Sequence, residues 1–74
     1  MTRQDLEDAA RDGFAGTLYS VESIQYVSSN LGHIYYSCPG CGKNRLPVFK
    51  PDELTLVEVV RNGLTEHERK HAGS

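Results

Sequence analysis

"LTLVEVVRNGLTEHERKHA", residues 54–72, is the stretch whose reading decides the fold. Its first half suits either of two structures. The β-branched residues Thr55, Val57, Val59 and Val60 favour a strand, because they are stiff at χ1 and pack well on a pleated surface. Asp52 and Glu53, just upstream, resemble the acidic start of a helix, where the macrodipole favours negative charge. We read residues 54–60 as a strand, ended by "RNG" at residues 61–63. Thr65 and Glu68 then stand in the S/T-x-x-E spacing of a capping box, which predicts a short C-terminal helix over residues 66–72.

Working back, "YYSCPGCGKNRLPVF", residues 35–49, holds both cysteines of the chain. Alternation puts Tyr35 and Tyr36 on opposite faces of a strand, so one of them belongs to the core. "CPGCG" is a tight turn. "NRLPVF" is a short strand at a sheet edge or an interrupted one, because Pro47 has no N–H to give a ladder.

Further upstream, "TLYSVESIQYVSS" is rich in strand-forming residues, but neither parity is cleanly apolar. A bulge near Glu22–Ser23 accounts for that. "SSNLGH" supplies turn chemistry through Asn30 and Gly32, and "HIYYS" resumes a strand, giving a β-hairpin over residues 17–37. At the N-terminus, Thr2 caps a helix over residues 3–12, with Asp5 at its third position and Gly13 as its stop. Leu6, Ala9 and Ala10 form its narrow apolar stripe. The expectation is therefore one small α+β domain of residues 1–74. It has a mainly antiparallel sheet, short N- and C-terminal helices and a C-x-x-C knuckle stapled by zinc.

At 74 residues such a chain buries only about 60% of its unfolded surface, so a metal, a disulfide or a partner commonly supports the core. Cys38 and Cys41 are two residues apart on a tight turn and aim at one point. Gly40 and Gly42 let backbone amides approach the sulfurs, and Lys43 favours thiolate. Tetrahedral zinc needs two further ligands. His67 and His71 stand at i and i+4 on the expected last helix and supply an H-x3-H half-site. His33 is the remaining histidine and the alternative ligand in place of His67 or His71. Two other readings stay open: free thiols in a turn with solvated histidines near a chain end, or a redox pair. The redox reading lacks the βαβ context and the helix that lower the thiol pKa in C-x-x-C oxidoreductases.

Charge is distributed unevenly. Residues 1–30 carry Arg3 and Arg11 against Asp5, Glu7, Asp8, Asp12 and Glu22, whereas residues 31–50 carry Lys43, Arg45 and Lys50 with no acid. The formal net charge of −2 disfavours a nucleic-acid-binding zinc module, which wants a domain-wide basic footprint. Tyr35 and Tyr36 beside Lys43 and Arg45 are the residues such a module would stack on bases. No phosphate-binding glycine loop is present, and Asp52–Glu53 reads as a turn pair, so an enzyme is not expected. No apolar run approaches the ~20 residues of a membrane helix. The polar, acidic N-terminus is unlike a signal peptide, so a cytoplasmic location is expected.

The opening "MTRQDLEDAARDG" and the strand-rich middle around "YYSCPGCGKNRLPVF" resemble the small phage-encoded regulators that capture host RNA polymerase. The resemblance implies a non-enzymatic protein that binds bacterial RNA polymerase, inhibits initiation and suppresses termination. It brings no binding residues over one by one. Those expected from the chain itself lie on the edge strand: Lys43, Arg45, Leu46, Val48 and Phe49, acting on an acidic partner surface from a monomer.

Overall fold

The computed structural model describes the backbone of residues 1–40 and 42–72, with side chains through residue 70. Two helices lie on one face of a three-stranded antiparallel sheet. The order is α1 (Arg3–Phe14), β1 (Ser20–Ser28), β2 (Leu31–Cys38), β3 (Gly42–Phe49) and α2 (Leu56–Ala72). In the sheet β2 is central, with β1 and β3 at the edges. The α+β expectation holds.

α1 begins as its sequence demands. Thr2 Oγ1 accepts from the Asp5 amide at 3.1 Å, and the Asp5 carboxylate accepts from the Thr2 amide at 3.0 Å. The helix runs two residues past its expected end, to Phe14, and Gly13 is buried within it. The β1–β2 hairpin turns on Ser29 and Asn30 alone. Gly32 is already a strand residue opposite Tyr26, and neither Asn30 nor Gly32 has positive φ. The anticipated bulge is present between Val21 and Ser23, with a second between Tyr26 and Ser28. β3 is an edge strand, as Pro47 requires, and begins at Gly42, two residues before "NRLPVF".

The strand expected over residues 54–60 is not formed. Leu56 opens a 17-residue helix that passes through Arg61, Asn62 and Gly63 without a break. A capping box does start it, ten residues before the expected one. Thr55 Oγ1 accepts from the Glu58 amide at 3.2 Å, and the Glu58 carboxylate accepts from the Thr55 amide at 2.9 Å. Thr65 is mid-helix and donates its hydroxyl back to the Arg61 carbonyl at 2.9 Å. The apolar spacing explains the outcome. Leu56, Val60 and Leu64 recur at i, i+4 and i+8, one helical stripe, while Glu58 spoils the alternation a half-buried strand would need. Helix-compatible spacing and a cap together outweigh the weak strand preference of the valines.

The core lies between the layers. Leu6, Ile34, Val48 and Val60 are its fully enclosed large side chains, joined by Ala9, Ala10, Phe14, Tyr36, Leu46 and Leu64. On β2, residues 32, 34 and 36 face the helices while 31, 33, 35 and 37 face outward. The helices meet where Val60 of α2 sits against Gly13 of α1. A Cβ on residue 13 would lie 2.5 Å from Val60 Cγ1 and 2.9 Å from Val60 Cβ. Nearby, the Arg61 guanidinium donates to the Asp12 carbonyl at 3.5 Å.

Two predictions follow from this packing. Gly13→Ala should destabilise the fold by about 1–3 kcal/mol, because the stiff Val60 side chain cannot yield. Gly40→Ala, with open space around it, should stay within about 0.5 kcal/mol in the same thermal or urea unfolding measurement. Thr55→Ala should cost about 1 kcal/mol by removing the α2 cap. Thr65→Ala should be neutral or slightly stabilising, since alanine is the better interior helix residue. The reverse ranking would place the start of the helix at Thr65.

Candidate functional site

The sheet presents its outward face to solvent because both helices occupy the other side. The register assembles this face residue by residue. Tyr35 lies opposite Arg45, Ser37 opposite Lys43, His33 opposite Pro47 and Leu31 opposite Phe49. From β1, Gln25 lies opposite His33 and Ser23 opposite Tyr35. The Tyr35 hydroxyl donates to Gln25 Oε1 at 3.0 Å, which pins the ring across the strands. Phe49 is 62% exposed. His33 is half-buried, and its enclosed Nδ1 has no hydrogen-bond partner among the described residues.

Of the five expected contact residues, Lys43, Arg45 and Phe49 lie on this outward face. Leu46 and Val48 do not. They alternate to the helix side, where Leu46 is 9% exposed and Val48 fully buried, and they belong to the core. The period of two along residues 43–49 already separates these sets, and it also assigns Pro47 to the outward face. Tyr35 and Tyr36 divide as expected, with Tyr36 the buried one. Glu22 is the single acid within the three described strands. Its carboxylate reaches Lys43 Nζ at 3.8 Å. Lys43 is largely exposed and Glu22 partly so, and the 3.8 Å pair contributes little net energy.

A second assembly stands at the far end of β2, on the helix side. Cys38 has the parity of Ile34 and Tyr36 and so faces the helical layer. The Tyr36 ring meets Phe14 at 5.4 Å and Tyr19 at 5.7 Å between centroids. The His67 ring closes the group, edge-on to Tyr19 at 5.6 Å and to Tyr36 at 5.7 Å. A cleft of about 290 Å³ beside it is lined by Leu18, Tyr19, Cys38, Pro39, Gly40 and Glu68. α2 therefore brings its C-terminal half to the Cys38 turn.

Cys41 and the side chain of His71 lie outside the described residues. Among the described residues no three His, Cys, Asp or Glu side chains converge as a metal site would require. His33 faces outward, on the opposite side of the sheet from Cys38, so the fold separates it from the cysteine turn. Beside the β3 edge a groove of about 460 Å³ is walled by Arg45 and Pro47 on one side and by Gly63, Glu66, His67 and Lys70 on the other. Gly63 admits Leu46 there, and a Cβ at residue 63 would collide with that side chain.

No protein-family model, curated protein or solved structure matches the chain. Among the described residues no helix is long and apolar enough to cross a membrane.

The division of β3 into two faces has a direct consequence for stability. Leu46→Ala should cost about 2–5 kcal/mol, as a large-to-small change in a packed core. Phe49→Ala should stay within about 0.5 kcal/mol, as an exposed substitution. Urea unfolding of the two variants checks the assignment, and equal losses would refute it.

Proposed function

We propose that this chain is a non-enzymatic binding module that acts in the bacterial cytoplasm on RNA polymerase, inhibiting initiation and suppressing termination. The docking surface is the outward face of β3, with Lys43, Arg45 and Phe49 as principal contacts and Tyr35 beside them. The observation that carries this reading is the segregation of charge and exposure on the sheet. Lys43, Arg45 and the largely exposed Phe49 share one face, and the strands hold a single acid, Glu22. Most acids of the chain lie instead on the helices and their approaches, at Asp5, Glu7, Asp8, Asp12, Asp52, Glu53, Glu58, Glu66 and Glu68. A cationic face with an exposed aromatic ring suits an acidic protein surface. The charges steer the encounter and the ring fills a pocket. The specific partner rests on the resemblance of "MTRQDLEDAARDG" and "YYSCPGCGKNRLPVF" to phage polymerase-binding regulators.

A second reading draws on the same face. Tyr35 and Phe49 beside Arg45 and Lys43 also suit stacked bases of a single strand. The overall negative charge makes it the weaker of the two.

Purified bacterial RNA polymerase, immobilised, tests the proposal directly. Wild-type chain should bind, and the double variant Lys43→Glu, Arg45→Glu should bind at least about tenfold more weakly, equivalent to about 1.4 kcal/mol. Undiminished binding by the double variant would remove β3 from the contact. Binding of bare single-stranded RNA with steep salt dependence, and none to the polymerase, would replace the protein reading with the nucleic-acid one.

A further inference from the structure

The two edges of the sheet are built differently. β3 is blunted as an edge: Pro47 offers no N–H, and Lys43, Arg45 and, just past its end, Lys50 carry charge. β1 has none of these devices. Its sequence, "SVESIQYVS", holds no proline, glycine, lysine or arginine, and Glu22 is the one formal charge between Asp12 and Lys43. Eight of its nine residues are exposed, and Ile24 is half-buried. Exposed apolar side chains gather at the same edge. Among the described residues six large ones are exposed, and four of them, Leu18, Val21, Tyr26 and Val27, lie on β1 or just before it.

Register assigns the faces of this strand. Val21, Ile24 and Tyr26 stand opposite Tyr36, Ile34 and Gly32, so they belong to the helix side, where they remain partly open to solvent. Ser23 and Gln25 stand opposite Tyr35 and His33 on the outward side. The bulges between Val21 and Ser23 and between Tyr26 and Ser28 leave residues 23–26 as the regular stretch. A strand added here pairs over a short length, in a phase fixed by the half-buried Ile24.

We infer that β1 is a self-association edge, at which a second copy of this chain pairs antiparallel to make a six-stranded sheet. A two-fold axis perpendicular to the sheet at Ile24 sets Ile24 against Ile24 of the second copy, and Ser23 against its Gln25. Residues of one face meet residues of the same face. Ile24 and the flanking Val21 and Tyr26 of both copies then form one apolar strip on the helix side, and the outward row matches hydroxyl to amide. Charge favours a like strand as the occupant. An edge without a cation offers an acidic segment nothing to pair with. The two Glu22 carboxylates fall about 13 Å apart along the strands, beyond the Debye length of about 8–10 Å near physiological salt. Each also has Lys43 of its own copy at 3.8 Å. Pairing satisfies the backbone groups that an edge otherwise leaves to water. So short a joint buries an area at the low end of specific interfaces, below about 1,200 Å² in total, and gives a weak, concentration-dependent dimer. The helices of both copies lie on one side, so the dimer presents both Lys43–Arg45 faces together on the other, with both β3 edges left open. This departs from the monomer expected from the sequence.

Sedimentation equilibrium of the full chain, under reducing conditions across the micromolar range, tests this without any polymerase. The mass should rise from one chain to two with concentration. Ser23→Glu with Val27→Glu changes two exposed residues and adds acids to the joint beside Glu22. This variant should dimerise at least about tenfold more weakly while its circular dichroism is unchanged. Phe49→Ala, on the opposite edge, should dimerise as the wild type does. Hydrogen exchange on the wild type reads the joint without any substitution: amides of residues 23–26 should slow as concentration rises, and those of β3 should not. A single-chain mass at every concentration would overturn the inference. So would an undiminished dimer in the doubly acidic variant, concentration-dependent protection of β3 in place of β1, or assemblies larger than two chains. A monomer whose β1 amides become protected only when RNA polymerase is added would give the edge to that protein and equally overturn self-pairing.

Discussion

The contact between Gly13 and Val60 sets the phase of everything that α2 does. Val60 has room only because residue 13 lacks a side chain. Once Val60 is seated there, the 3.6-residue repeat fixes the rest of the helix face. Leu56 and Val57 fall over the entrance to the core, Gly63 comes over Leu46, Leu64 enters the core, and His67 arrives against Tyr36 and Tyr19. A rotation of α2 by one residue would remove Val60 and Leu64 from the core and His67 from the aromatic group together. A core whose fully enclosed large side chains, among the described residues, are Leu6, Ile34, Val48 and Val60 has few spare contacts to absorb such a loss.

The two helices on one side leave the sheet two-faced. On the helix side, β2 and β3 contribute Ile34, Tyr36, Leu46 and Val48 to the core. On the outward side the same strands carry His33, Tyr35, Lys43, Arg45, Pro47 and Phe49. Neither set is a run in the sequence. They interleave at a period of two, which is why a single short segment serves both stability and surface chemistry. The proposed docking face and the aromatic cluster of Phe14, Tyr19, Tyr36 and His67 thus use opposite sides of one hairpin. A change that unseats the core will disturb both, whereas a change at Lys43, Arg45 or Phe49 should leave the fold intact.

Much of the local structure was legible in the residues. The Thr2–Asp5 cap, the N-terminal helix, the hairpin, the bulge near Glu22 and the edge position of the Pro47 strand each follow from short-range rules, because each depends on neighbours within a few positions. The failure at residues 54–60 has the same local origin. Thr55-Leu-Val-Glu58 carries the S/T-x-x-E cap as plainly as Thr65-Glu-His-Glu68 does. The β-branched valines favour a strand locally, but Leu56, Val60 and Leu64 hold a helical period. Residues 43–49 likewise carried the alternation that separates Leu46 and Val48 from the exposed set.

Other features had no local signature. Nothing near Gly13 in the sequence announces Val60, and nothing near Gly63 announces Leu46. Such contacts join segments about 50 and 20 residues apart and exist only once the layers pack. The same holds for the meeting of Cys38 with the end of α2. By itself the sequence determined the helix caps, the strand-forming segments, the bulge and the residue types available for binding, since these depend on backbone preference and near-neighbour hydrogen bonds. Only the tertiary structure decided that residues 56–72 form one helix packed through Gly13, which strand residues face solvent, and that Cys38 and His67 share one end of the molecule. Burial and long-range register are properties of the packed layers, and no short stretch of chain contains them.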